Sequence, residues 1–257
     1  MNPTVATCQT TVDDLDVAAN LGRVADRLSR LSDDVDVALF PELGLTGFVA
    51  DDRLRSTALD IDGREVERLR ELAAAHDTVL VIGFAEARGG DYHNTTVYVT
   101  PEGEVTPYRK RHLWSGEGDV FTPGDERVVV ESPAGRTGLV TCYDLNFARD
   151  SVAFLDAGVD ALFVVGAWPA THAPNWRLLV RARALDGVRW VVACGRTGRK
   201  EVADAPTVEY AGRSLVVRPD GVVGSALAHA PDDLVVTLDS DVLAAQRDLV
   251  DVPIGSD

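Results

Sequence analysis

Three polar residues, each at the end of an apolar run, are of the types needed to open an acyl bond. Cys142 lies in Gly138-Leu-Val-Thr-Cys-Tyr-Asp-Leu-Asn-Phe147, a strand-like run that breaks into a polar turn. An α/β enzyme places a nucleophile at such a junction. Glu42 sits in Phe40-Pro-Glu-Leu-Gly-Leu-Thr-Gly-Phe48, and Lys110 in Tyr108-Arg-Lys-Arg-His-Leu-Trp114. In chain order they offer a base, a cation and a thiol. A thiol attacks a carbonyl or nitrile carbon only as thiolate, so a base must take its proton. A carboxylate near pKa ~4 matches a thiol near ~8.5 poorly unless burial or an adjacent cation alters both. A lysine beside the thiol can lower its pKa and later hold charge on an oxygen.

Such residues need strand ends to carry them, and short apolar runs alternate with amphipathic segments along the whole chain. Strands are expected at 5–8, 35–40, 79–85, 95–100, 104–109, 128–131, 137–141, 161–166, 190–194, 214–217, 222–225 and 234–238. Helices are expected at 13–31, 64–75, 147–157, 175–185 and 242–249, and residues 110–127 read as a Gly-, Glu- and Asp-rich loop. Pro101-Glu-Gly103, Pro133-Ala-Gly135 and Arg218-Pro-Asp-Gly221 are turn signals. No linker or low-complexity segment divides the chain. Two βαβ-like halves meet near the middle, so residues 1–257 are expected to form one domain built on two sheets.

Hydrophobic residues make up 46% of the 257, enough for a sizeable core, and no apolar run approaches the roughly 20 residues of a spanning helix. The N-terminal stretch lacks a basic n-region, so no signal peptide and a cytoplasmic location are expected. A net charge of −16 repels nucleic acid and anionic membranes, excluding both as expected partners. Lys110 and Lys200 are the only lysines, every other cation being arginine, and aspartate outnumbers glutamate. Such a surface stays hydrated in concentrated salt and reads as salt-adapted. In an arginine-using chain, a retained lysine marks a place for a compact, rotatable ammonium. Three cysteines without C-x-x-C spacing argue against a disulfide framework and a zinc site, and the contexts of Cys8 and Cys194 are buried strands.

The three motifs together resemble the nitrilase (carbon–nitrogen hydrolase) superfamily, whose members carry Glu, Lys and Cys in this chain order. The resemblance covers nearly the whole chain and implies an α/β fold: a four-layer α-β-β-α sandwich whose two mixed sheets are covered by helices. It implies a general base at Glu42, a charge-stabilising Lys110, a nucleophile at Cys142 and an oxyanion donor in the Tyr143 backbone N–H. Gly116-Glu-Gly-Asp-Val-Phe-Thr-Pro-Gly124 matches the family loop that holds a second glutamate, here Glu117. Trp168 falls where the family lines its pocket with an aromatic, and Phe48 and Asn146 are further candidate substrate contacts. Asn94, ahead of a strand, and His112 match positions expected to satisfy hydrogen bonds rather than bind ligand.

Two segments depart from the family pattern. Asn146 stands where members often have arginine, which removes a charge that could hold a substrate carboxylate. Arg183-Ala-Leu-Asp-Gly187 replaces the usual Arg-Ala-x-Glu-Asn segment. The resemblance implies a cofactor- and metal-independent thiol amidohydrolase that releases ammonia from a small amide, an ω-amide of a dicarboxylic acid being the leading candidate. Hydrolysis of an N-carbamoyl amide or of a nitrile is the alternative within the family, and a non-catalytic metabolite- or partner-binding protein the alternative outside it. A homodimer or higher homo-oligomer is expected.

Overall fold

A computed structural model describes residues 2–250. The elements in chain order are β1 (Thr4–Gln9), α1 (Val17–Leu28), β2 (Val37–Leu39), α2 (Asp52–Thr57), α3 (Arg64–His76), β3 (Val79–Arg88), β4 (Asp91–Val99) and β5 (Val105–Arg109). The second half holds β6 (Val129–Ser132), β7 (Gly135–Thr141), α4 (Ala148–Asp156), β8 (Ala161–Gly166), α5 (Ala173–Leu185), β9 (Trp190–Gly195), β10 (Thr197–Lys200) and β11 (Val208–Ala211). It closes with β12 (Leu215–Val217), β13 (Val223–Ala226), β14 (Asp232–Thr237) and α6 (Ser240–Val250).

Two six-stranded mixed sheets result, ordered β14-β1-β2-β3-β4-β5 and β13-β12-β9-β8-β7-β6. Each has three parallel strands at its centre, β1-β2-β3 and β7-β8-β9, flanked by antiparallel strands. Parallel neighbours need crossovers, and α1, α3, α4 and α5 supply them. The near-continuous apolar character of the central strands follows, because both of their faces are covered.

Side chains alternate across a strand, so its two faces enter different layers. Val37 and Leu39, Val79 and Val81, Phe163 and Val165, and Val192 and Cys194 meet between the two sheets. Their neighbours Ala38, Leu80 and Ile82 pack instead beneath Val24, Leu28, Val66, Leu69 and Leu72 of α1 and α3. Leu162, Val164, Val191 and Ala193 do the same beneath Trp176, Val180 and Ala184 of α5. The four expected layers, helix-sheet-sheet-helix, are therefore present.

The helix expected over 13–31 is shorter, Val17–Leu28, with the Asp16 carboxylate accepting from Ala19 N as its N-cap. Three features lacked a strong periodic signal and were not expected. They are the six-residue α2, a single 3-10 turn at Ser115–Asp119 inside the expected loop, and the β10-β11 hairpin. Cys8 and Cys194 are buried, unpaired and adjacent, the Cys194 thiol lying 3.5 Å from the Cys8 carbonyl. No described helix is long and apolar enough to cross a membrane.

Candidate active site

Open α/β sheets bind ligands beyond the carboxyl ends of their parallel strands. Glu42 lies just past β2, Cys142 follows β7 directly, and Ala167 follows β8. Lys110 follows β5, whose end is tied down by Arg109 pairing with the buried Glu86 at 2.6 Å. The Lys110 backbone is held on both sides, its N–H donating to Asn94 O at 2.8 Å and its carbonyl accepting from Gly124 N at 2.9 Å. Glu42, Lys110, Glu117 and Cys142 all line one cavity of about 540 Å³, and Phe48 forms part of its wall.

Lys110 is the hub of the polar end. Its Nζ lies 2.8 Å from Glu42 Oε1 and 2.9 and 2.7 Å from the two oxygens of Glu117. Asn94 Nδ2 bridges the same carboxylates, donating to Glu42 Oε1 at 2.9 Å and to Glu117 Oε1 at 2.7 Å. The other Glu42 oxygen accepts from Ala167 N at 2.8 Å, and Glu117 Oε2 accepts from Trp114 N at 2.6 Å. All four side chains are nearly inaccessible, at 2% for Glu42, 2% for Lys110, 5% for Glu117 and 1% for Asn94. Asn94 Oδ1 has no partner, yet the reverse amide orientation would set a carbonyl oxygen against two carboxylates. Charge complementarity therefore fixes the amide.

Burial governs the protonation states. It pulls the Lys110 ammonium down, but Glu42, Cys142 and Glu117 outweigh it and hold the group well above its ordinary value. Burial, and then Glu42, push the Cys142 thiol well up, against the opposing pull of Lys110. Burial also raises Glu117, with Glu42 adding to the shift and Lys110 opposing it. At neutral pH the cluster is thus a protonated thiol beside a charged lysine.

Cys142 adopts φ +50, a left-handed backbone that a non-glycine residue rarely takes. Such conformations persist where surrounding contacts over-determine them. Asp144 supplies those contacts at the turn Cys142–Asn146. Its Oδ2 accepts from the Tyr108 hydroxyl at 2.6 Å and from Thr141 N at 3.2 Å. Its Oδ1 accepts from His112 N at 3.0 Å and lies 2.8 Å from His112 Nδ1. His112 is thus bound to the turn and stacked on Phe147, with ring centroids 3.5 Å apart. Tyr143 follows Cys142 at the start of the turn, where the first N–H groups have no partner within the turn itself.

Two expected substrate contacts are absent from the lining of this cavity. Trp168 does not line the cavity. Alternation from β8 turns Ala167 to the site and Trp168 to the helix layer, where it is 9% exposed and packs on Trp176 with centroids 6.1 Å apart. Asn146 also lies outside the cavity, exposed at the end of its turn, with Nδ2 donating to Tyr143 O at 3.1 Å. Asn94, expected to satisfy backbone, instead joins the two carboxylates. Its sequence signal was its place three residues before the apolar part of a strand, too weak to assign a partner. Trp114 and His172, edge to face at 6.2 Å, and the β10-β11 hairpin with Lys200 complete the cavity wall. None of these was anticipated there, although Lys200 carried a signal in the scarcity of lysine.

A family model described as carbon–nitrogen hydrolase matches residues 4–248. The chain is 34% identical over 234 residues to an (R)-stereoselective amidase of Pseudomonas sp, covering 91% of this chain and 84% of that protein. It is 32% identical over 242 residues to a 2-oxoglutaramate amidase of Paenarthrobacter nicotinovorans, covering 86% and 80%. Among solved structures, a CN-hydrolase superfamily protein of Xanthomonas campestris with an arsenic adduct in its active site superposes with a TM-score of 0.90. That likeness is at 26% identity over 97% of this chain and 95% of the other.

Proposed function

Because this chain belongs to the carbon–nitrogen hydrolase family, we propose that it is a thiol amidohydrolase in which Glu42, Lys110 and Cys142 act together on a small linear amide. The observation that carries this reading is the buried Glu42–Lys110–Glu117 cluster opening, with Cys142, onto one cavity. The amidase names of the relatives at 34% and 32% identity support the amide as substrate.

Each step follows from proton positions. Cys142 begins as a thiol, and Glu42 takes its proton as sulfur bonds to the carbonyl carbon. The carbonyl electron pair moves to oxygen. Lys110 has three donors. When the two Glu117 oxygens share one N–H and Glu42 takes another, the third meets the oxyanion together with the Tyr143 N–H. Glu42 then returns its proton to the departing nitrogen, the C–N bond breaks and ammonia leaves a thioester. Water adds to the thioester with Glu42 accepting its proton, the C–S bond breaks, and the thiolate regains a proton as the acid is released. Glu117 keeps Lys110 aimed between the base and the substrate oxygen. Every proton is carried by these side chains, so the steps call for no cofactor.

The acyl group in this reading is an ω-amide of a dicarboxylic acid, supported by the 2-oxoglutaramate amidases among the relatives. The protein is read as a salt-adapted cytoplasmic homodimer. Exposed Val152, Leu178 and Leu185 on α4 and α5 offer an apolar face for a second copy. Sedimentation at twice 27.6 kDa checks the dimer.

Ammonia release in molar KCl from ω-amides, carbamoyl amino acids and nitriles, with Cys142→Ala as control, tests the activity. Turnover confined to amides and abolished in the variant is expected. Equal rates in both proteins, or turnover only of nitriles, would overturn it.

A further inference from the structure

Lys110 and Lys200 are the only lysines in the chain, and both line the same cavity. Lys110 is ion-paired with Glu42 and Glu117. Lys200 is not. It ends β10, pairing with Val208 of β11, so the hairpin that walls the cavity delivers it. The residue is 4% exposed, and among the described residues its ammonium has no hydrogen bond and no ion pair. Nζ lies over the Phe48 ring, 5.6 Å from the centroid.

A partly desolvated ammonium without an ion-pair partner is stabilised by a counter-ion, and the nearby acids are already engaged. Asp14 is held by Arg196 at 2.7 Å, both nearly inaccessible, and Asp51 by Arg53 at 2.7 Å. Glu209 also reaches the cavity, but its side chain is 65% exposed and it faces His229 at 3.5 Å. At Lys200 the wall of the cavity that Glu42, Lys110 and Cys142 also line therefore carries a positive charge with no ion pair among the described residues. Burial lowers the Lys200 pKa, with Arg196 adding to the shift against Asp14 and Asp51. An anion in the cavity relieves both effects.

We infer that Lys200 is the specificity-determining residue of the cavity, binding the distal carboxylate of an anionic amide whose amide carbon is presented to Cys142. The inference rests on the amidohydrolase reading and deepens it by naming the group that recognises the acyl chain.

The test compares an anionic and a neutral substrate, glutaramate and valeramide, in wild type, Lys200→Met and Lys200→Arg. Expected is a fall of roughly ten- to hundredfold in kcat/KM for glutaramate in Lys200→Met, the worth of a charged hydrogen bond. The fall for valeramide is expected to be at least tenfold smaller, with partial recovery of glutaramate in Lys200→Arg. A structural role for Lys200 lowers both substrates together, and that result overturns the inference. Glutarate titrated calorimetrically into Cys142→Ala, with and without Lys200→Met, reads the subsite without turnover. Lys200-dependent binding in a protein that hydrolyses no amide keeps the subsite and removes the amidase reading. Amide turnover with glutarate binding unchanged by Lys200→Met keeps the amidase and removes the subsite. Melting temperature checks the fold of Lys200→Met, a value near that of wild type being the expected control.

Discussion

At the scale of single residues, the site is a problem in charge density. Two carboxylates, a lysine and a thiol share a volume from which water is nearly excluded, and only Asn94 and two backbone N–H groups help to neutralise them. The arrangement stays neutral enough to fold because the thiol keeps its proton and Lys110 stays charged. Burial, and then Glu42, raise Glu117 above an ordinary glutamate, against the pull of Lys110. As pH falls through that raised value Glu117 protonates, and Lys110 loses one of its two anionic partners. The expected result is an acid limb in kcat/KM above the ~4.3 of an ordinary glutamate. Glu117→Gln cannot titrate. It should lower kcat about tenfold to thousandfold and shift the limb to lower pH or remove it. A pH–rate profile of the variant that overlays wild type refutes this role.

At the scale of elements, precision comes from backbones that approach closely. Gly83 in β3 is the clearest case. A Cβ there lies 2.5 Å from Leu43 N and 2.9 Å from Glu42 Cα, so the turn carrying Glu42 rests directly on the strand. Gly83→Ala should destabilise the fold by about 1–3 kcal/mol, the usual range for overpacking. It should lower activity by about a hundredfold, because a shift of ~1 Å in a reacting group has that effect. Gly22 in α1 has nothing within 4 Å of its Cβ position. Gly22→Ala is the control, expected to keep full activity and to gain about 0.5–1 kcal/mol. Thermal melts and initial rates on the two variants decide it. Asp144 plays the matching part on the other sheet, gathering Tyr108, His112 and Thr141 around the turn that holds Cys142 at positive φ.

At the scale of the whole molecule, the two sheets share one apolar layer, with Val5, Leu39 and Val81 of one against Leu139, Phe163 and Val192 of the other. Neither sheet can keep that face dry alone, so residues 1–257 are proposed to unfold as one unit. The net charge of −16 opposes compaction, and salt screens it. Calorimetry in rising KCl should therefore give a single transition whose midpoint climbs toward molar salt. Two separable transitions would break the one-domain reading, and a midpoint that falls with KCl would break the salt-adapted one.

Local order along the chain encodes the elements and the three motifs. The period-2 apolar runs specified the central strands, and the helical spacing specified α3 to within a residue. The three motifs placed Glu42, Lys110 and Cys142 after strands because a polar break must follow an apolar run where a sheet ends. Glu117 was legible through its spacing to Phe121 and Pro123. Tertiary structure decided which way each side chain faces once the sheets stacked. Trp168 and Ala167 are neighbours in sequence, yet alternation sends one to the helix layer and the other to the cavity. Asn94 gained its role only when β4 ran between the two carboxylates. Lys200 reached the cavity because a hairpin from the other end of the chain folded over it. No local pattern carries that information, because partners far apart in sequence meet only after the layers pack.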